Sequence, residues 1–369
     1  MTELTRRYDI DWLRVIAIGL LVIYHTAIGF QPWGMMIAFI TSIKSWEALW
    51  TPMMMLNVWR IPLLFFVSGM GVHFAMQRRG IVDLFLERTR RILIPYLFGL
   101  FAIVPVHIFL WQKYYGYHAA YHADPGHLWF LGNIMCYVAL LSPLFYYLKC
   151  NPEGRLARSI RAWIGGPFGL ISVVAVFVAE AVIIDPKPYE LYARTWHGVF
   201  LGLFAFFFGF CFVFSGDGFW NRLMKMRWLF LLAAAALFTV RINRPGLPVY
   251  WLVVESDFWI FAILGLAYRY LNFNNSALRY LSAAAYPVYI MHMIFLYLGS
   301  MLIFPLPIAN PLQYLLLVLF TIGGSMASYE WIIRRFMMTR FLFGLKEPAG
   351  SRRWDPFSSM KRSVESSVR

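Results

Sequence analysis

Residues 8–26 read YDIDWLRVIAIGLLVIYHT, and this stretch decides the fold class. It is an apolar run long enough to cross a bilayer as a helix, yet it carries Arg14 near its start and His25 near its end. Each of those groups is costly in hydrocarbon and needs a reason to be there. Eleven residues at about 100° each return to nearly the same helical face, so the two side chains share one stripe, roughly 16 Å apart along the axis. An ordinary membrane helix explains them as an arginine snorkelling to headgroups and a histidine capping the far end. The rest of the chain argues for more.

Of the 369 residues, 60% are hydrophobic and only 14% are charged, with a mean hydropathy of +0.61; this excludes a soluble globular protein. The expectation is an all-α, polytopic integral membrane protein. The formal charge of +15 would point to nucleic acid in a soluble domain. Here most of it lies in alternate connections between apolar runs, so the expected partner is membrane lipid and not nucleic acid. The first apolar run has no small-residue cleavage site and is expected to stay as helix one. Cys136, Cys150 and Cys211 have no metal-ligand spacing and read as packing residues without a disulfide.

Runs of about 20 apolar residues give ten candidate spans: 11–30, 53–75, 92–112, 127–148, 166–184, 196–215, 228–241, 251–270, 280–304 and 311–333. The seventh is short. With the N-terminus in the cytoplasm, 25 Lys and Arg fall inside, against six outside: Lys44, Lys113, Lys187, Arg194, Arg241 and Arg244. That bias puts both termini in the cytoplasm and supports an even span count. Residues 1–345 form one transmembrane domain on this reading, and 346–369 a basic, disordered cytoplasmic tail resting on anionic lipid. No internal repeat is visible, which weakens a secondary-transporter reading.

Several polar groups stand out against this background. Arg60 lies within an apolar run just before Pro62, and Ser68 with Gly69 opens a close-packing site. The cluster 87–91, ERTRR, places Arg88 and Arg91 three apart, where guanidinium forks are able to chelate phosphate oxygens. An anchor would serve equally well with lysine; this cluster is all arginine. On the outer side, His118 and His122 have a helical metal-binding spacing, but Gly and Pro interrupt the segment and no metal site is expected. His127 and Trp129, at the mouth of the fourth span, are better placed to meet a substrate, the indole offering a stacking face for a sugar ring. His292 falls mid-span and should face the bundle interior. Glu330, near the inner end of the last span, is expected to pair with Arg334 or another arginine.

Arg14, ten intervening residues and His25, preceded by Asp11 in DWLR, resemble the first-helix signature of the membrane acyltransferase 3 family. The pair Arg88 and Arg91 resembles that family's second signature. The passages 59–71 (WRIPLLFFVSGMG), 87–99 (ERTRRILIPYLFG), 127–131 (HLWFL) and 286–292 (YPVYIMH) resemble in particular the branch containing glucan biosynthesis protein C, a succinyltransferase acting on periplasmic glucans. The similarity extends from about Tyr8 to Glu330.

The resemblance implies an integral O-acyltransferase of the bacterial inner membrane, with no resident cofactor and acyl-CoA as co-substrate. An acetyl or succinyl group would pass from cytoplasmic acyl-CoA to a hydroxyl of an extracytoplasmic glycan or other envelope acceptor. It further implies that Arg88, Arg91 and Arg14 hold the donor phosphates, that His25 is the general base within the motif containing Asp11 and Arg14, and that an acyl-histidine is the second choice. Arg60, Ser68 and His292 are the candidates for stabilising the oxyanion. His127, Trp129 and Glu330 complete the candidate substrate region. The alternative is a secondary transporter in which Arg14, His25, His292 and Glu330 form a substrate or proton path.

Overall fold

The apolar runs fold as the helices their lengths demand. A computed structural model describes residues 7–346 and is all-helical, with no strand among the described residues. Helix α1 (Tyr8–Ile28) is followed, after the connection 29–49, by α2 (Trp50–Gln77). A composite helix, α3 (Ile81–Tyr114), is interrupted by π-helical turns at Thr89–Leu93 and Gly99–Ile103. Then come α4 (Trp129–Cys150), α5 (Arg155–Gly165), α6 (Gly169–Ile184) and α7 (Trp196–Phe214). The chain continues with α8 (Asp217–Asn243), α9 (Val249–Tyr270), α10 (Ser276–Ile303), α11 (Asn310–Ser328) and the short α12 (Met337–Leu342).

Among the described residues, nine helices are long and apolar enough to cross a membrane, and ten if α5 and α6 count as one bent span. The protein is a multi-pass membrane protein. Two expected spans change form. The fifth is only 16 residues long and meets α5 at 93°. Helix α5 buries Ala157, Ile160 and Ile164 and leaves Arg155 and Arg158 exposed, as an interfacial helix does. The seventh is not short: α8 runs from Asp217 to Asn243, so Arg222, Lys225 and Arg227 ride its first turns and not a connecting loop. Their charge interrupts the hydropathy without interrupting the helix, because the long stems reach carbonyl acceptors. Arg222 Nη2 donates to Gly165 O at 2.8 Å and Nη1 to Gly166 O. The basic tail expected over 346–369 lies, apart from Lys346, outside the described residues.

Helix α1 sits in the middle, packed against α2, α9, α10 and α11. A helix with a polar stripe needs that protein shield, because lipid offers the stripe no partner. Beside it, α2 and α7 cross at backbone contact. A Cβ on Gly69 would collide with the Phe206 carbonyl, and one on Gly209 with the Phe66 carbonyl. Without water to drive association, such close approach supplies the dispersion contacts that hold membrane helices together.

Prolines explain several polar contacts inside the bundle, since each deprives the carbonyl four residues earlier of its helical donor. Pro62 frees Val58 O, which accepts from Tyr192 Oη at 2.9 Å and Ser256 Oγ at 2.7 Å. Pro105 frees Phe101 O, which accepts from Tyr121 Oη at 2.9 Å. The hydroxyls of loops and neighbouring helices thus satisfy the freed carbonyls.

Candidate functional site

A cavity of about 800 Å³ follows the polar stripe of α1. Arg7, Asp11, Arg14, Ile18, Leu21 and His25 all line it, at the three- and four-residue spacing of one helical face. From Arg7 to His25 that face extends roughly 27 Å. The stripe read from the sequence is therefore one wall of a continuous internal space. Helices α2, α3, α4 and α10 and the segment after α11 supply the others.

The two ends of the cavity differ sharply. At the arginine-rich end its lining includes Arg7, Arg14, Arg78, Arg79, Arg88, Arg91, Arg279, Arg340 and Lys346, against the carboxylates Asp11 and Glu87. Arg14 lies 3.5 Å from Asp11. Arg88 reaches Glu87 at 3.4 Å and donates to Gly71 O at 3.3 Å, while Arg91 donates to Glu87 at 3.0 Å. The π-helical turn Thr89–Leu93 begins directly after Arg88. It changes the register between the two arginines, yet both still reach the cavity because Glu87 binds each of them. Arg340, Gly344, Leu345 and Lys346 arrive from the far end of the chain: Phe343 packs on Phe98, and Gly344 lies against the backbone of Arg91.

At the opposite end, His25 Nδ1 is 2.9 Å from His292 Nε2. His292 is wholly buried and its Nδ1 lies 2.6 Å from Tyr289 O. His127 lines the cavity, stands 4.9 Å from His292 ring to ring, and approaches Ile290 O with Nε2 at 3.2 Å. Tyr289 Oη donates to His127 O, tying α10 to the entry of α4. Phe39, from the connection 29–49, sets its edge against His25 with ring centroids 5.7 Å apart. Tyr297 and Tyr115 hold that connection down by donating to Ala38 O and Phe39 O.

The sequence candidates divide accordingly. Asp11, Arg14, His25, Ser68, Arg88, Arg91, His127 and Trp129 all border the cavity. Ser68 does so with its hydroxyl proton donated to Leu64 O at 2.7 Å, which removes it as an oxyanion donor in this arrangement. Arg60 does not line the cavity. It is buried, and its guanidinium lies 4.2 Å over the Tyr24 ring, so its charge stands one residue layer behind His25. His292 is likewise outside the lining, with both nitrogens engaged. Glu330 stands apart on the π-helical turn Tyr329–Ile333, accepting from Arg334 at 2.6 Å and from Tyr280 Oη at 3.0 Å. It pairs with Arg334 as its spacing suggests and takes no part in the cavity lining.

Sequence reading passed over several neighbours of this site. His107, on α3, is buried with its ring 5.6 Å from His127. A lone histidine two residues after Pro105 in an apolar run was the available signal. Arg279 and Arg340 enter the sequence reading only among the inside positive charges, and nothing in their local sequence marks a cavity wall. Among the described residues, no three His, Cys, Asp or Glu are grouped to hold a metal, and the three cysteines are free thiols.

The family profile of acyltransferase 3, described as an acyltransferase domain, matches residues 7–330, nearly the whole chain. The chain belongs to the acyltransferase 3 family. It is therefore an acyltransferase that transfers groups other than amino-acyl groups. No curated protein and no solved structure matches it, so the resemblance to the glucan biosynthesis protein C branch has no named relative behind it. The matched range contains every element of the cavity except the segment from Arg340 to Lys346.

Proposed function

We propose that this acyltransferase moves an acetyl or succinyl group from cytoplasmic acyl-CoA to a hydroxyl of an extracytoplasmic glycan or other envelope acceptor, across a bacterial inner membrane. The observation that carries the reading is the continuity of the cavity from the arginine-lined mouth to His25. A donor with several phosphates at one end and a thioester at the other suits a space that is cationic at one end and carries an imidazole at the other. Guanidinium groups of Arg88, Arg91 and Arg14 bind the phosphates through charge-assisted hydrogen bonds. The acyl arm follows the α1 stripe inward, and no resident cofactor takes part.

At His25 the chemistry is a single acyl transfer. The acceptor hydroxyl gives its proton to the imidazole as its oxygen forms a C–O bond to the thioester carbonyl carbon. The tetrahedral oxyanion collapses with cleavage of the C–S bond, and the thiolate takes the proton back, leaving as free CoA thiol. The buried Arg60 guanidinium contributes positive potential to the oxyanion from behind Tyr24, at a depth where solvent screening is weak. Trp129 and His127 lie where the acceptor meets this carbon.

The test is to supply radiolabelled acetyl-CoA and succinyl-CoA to the purified protein in nanodiscs, with and without glycan oligosaccharides, following label transfer and thiol release. Acceptor-dependent transfer is expected. Absence of donor binding, together with solute passage across proteoliposomes, overturns the proposal in favour of transport.

A further inference from the structure

His292 is shut out of the cavity, yet it holds the one imidazole to which the transfer chemistry is assigned. Its Nδ1 lies 2.6 Å from the Tyr289 carbonyl oxygen of its own helix, and its Nε2 lies 2.9 Å from His25 Nδ1. A carbonyl oxygen only accepts, so the proton of a neutral His292 is on Nδ1 and is donated to Tyr289. Its Nε2 is then a lone pair, and the hydrogen joining the two rings must come from His25 Nδ1. The ring planes are within 19° of parallel, and their 5.1 Å centroid separation is close to the most that a 2.9 Å contact between ring nitrogens allows, so the shared hydrogen lies near both ring planes and not over a ring face. One tautomer of His25 follows: Nδ1 protonated, Nε2 bare. His25 alone of the pair borders the cavity, and its Nε2 makes no hydrogen bond to a described residue.

We infer that His292 is a positioning residue that fixes His25 in the Nδ1–H tautomer and so presents the Nε2 lone pair to the acceptor hydroxyl. The inference rests on reading His25 as the general base. It assigns the carbonyl of Tyr289 and the ring of His292 the work that a buried carboxylate does in other base dyads, with no net charge placed in the bilayer interior. When His25 takes the hydroxyl proton at Nε2, its Nδ1–H stays on His292. The proton has one place to go next, the departing thiolate. This role is incompatible with His292 acting as an oxyanion donor, since neither of its nitrogens has a hydrogen to spare.

The deciding measurement is nitrogen NMR of the protein labelled with 15N-histidine in nanodiscs, with His25 assigned by the signals lost in His25→Ala. The Nδ1–H tautomer at His25 is expected in the wild type, and the Nε2–H tautomer overturns the inference whatever the activity. His292→Gln and His292→Asn sharpen the result. A glutamine amide oxygen reaches the position of Nε2 and accepts from His25, whereas asparagine ends at the position of Nδ1 and leaves His25 unheld. Asparagine is expected to mix the His25 tautomers and to lower kcat on the order of 100-fold, with radiolabelled acetyl-CoA binding unchanged; glutamine should recover most of the loss. Equal kcat in the asparagine variant and the wild type also overturns it. Should His25→Ala turn over normally, the general-base reading fails instead, and the wild-type spectrum still decides the tautomer.

Discussion

The two ends of the cavity are built on different physics. The mouth is exposed and redundant: the Arg14 and Arg91 side chains keep 39% and 41% of their surface accessible, and further arginines line the same end. The deep end is buried and singular, with His292 at 0% exposure and the edge of Phe39 set against the ring of His25. Charge at the mouth is shared among many groups and screened by salt, so no one residue there should be decisive. At the deep end one hydrogen bond sets one lone pair. The difference teaches that donor binding is distributed over the molecule while the chemistry is concentrated at one nitrogen.

The sharpest way to break that division is His25→Ala. Removal of a general base should lower turnover by about 10³-fold, while equilibrium binding of acetyl-CoA stays within about twofold because no phosphate contact is touched. Parallel loss of binding and turnover would show that the two ends are not separable.

Next in size is the double substitution Arg88→Ala with Arg91→Ala. Two charge-assisted contacts at about 1.5–3 kcal/mol each, reduced because neighbouring arginines compensate, give an expected rise in donor KM of roughly 10- to 100-fold. At saturating donor, kcat should fall by no more than a few-fold. A kcat collapse at unchanged KM would move the pair from the mouth to the chemistry.

The legibility of this molecule in its sequence follows the same line. Long apolar runs and the loop arginines are local signals, and the helices of residues 8–28, 249–270 and 276–303 stand close to where hydropathy put them. Arg14 and His25 were readable as one stripe because helical periodicity is local too. Hydropathy failed at α8, where Arg222, Lys225 and Arg227 cut the apolar window but not the helix, and at α5–α6, where a right-angled bend is invisible to composition. The partnership of His25 with His292 joins positions 267 residues apart, and no local pattern encodes it. The same is true of Arg340 and Lys346, which reach the mouth only because Phe343 and Gly344 dock on α3.

A smaller effect comes from salt. With a mouth carrying many exposed cations, raising ionic strength from about 0.05 to 0.5 M shortens the screening length from over 10 Å to below 5 Å. Donor KM should rise several-fold, with kcat flat. The arginine double variant should show a shallower salt dependence than the wild type, and an equal slope would mean that other cations carry the donor.

The smallest effect tests the boundary of the site from outside. Glu330 shares the end of the molecule where the mouth opens, but it faces Tyr280 and Arg334 and not the cavity. Its ion pair with Arg334 is partly exposed, with side chains 33% and 43% accessible, so solvent screening keeps its contribution to stability small. Glu330→Gln keeps the shape and still accepts from the Tyr280 hydroxyl. The expected outcome is a slight loss of thermal stability with kcat and donor KM unchanged. A tenfold fall in turnover with donor binding intact would place a charge-dependent step on the π-helical turn after α11, far from His25. It would dissolve the contrast between a binding mouth and a reacting interior, because the arginine-rich end would then take part in the chemistry as well.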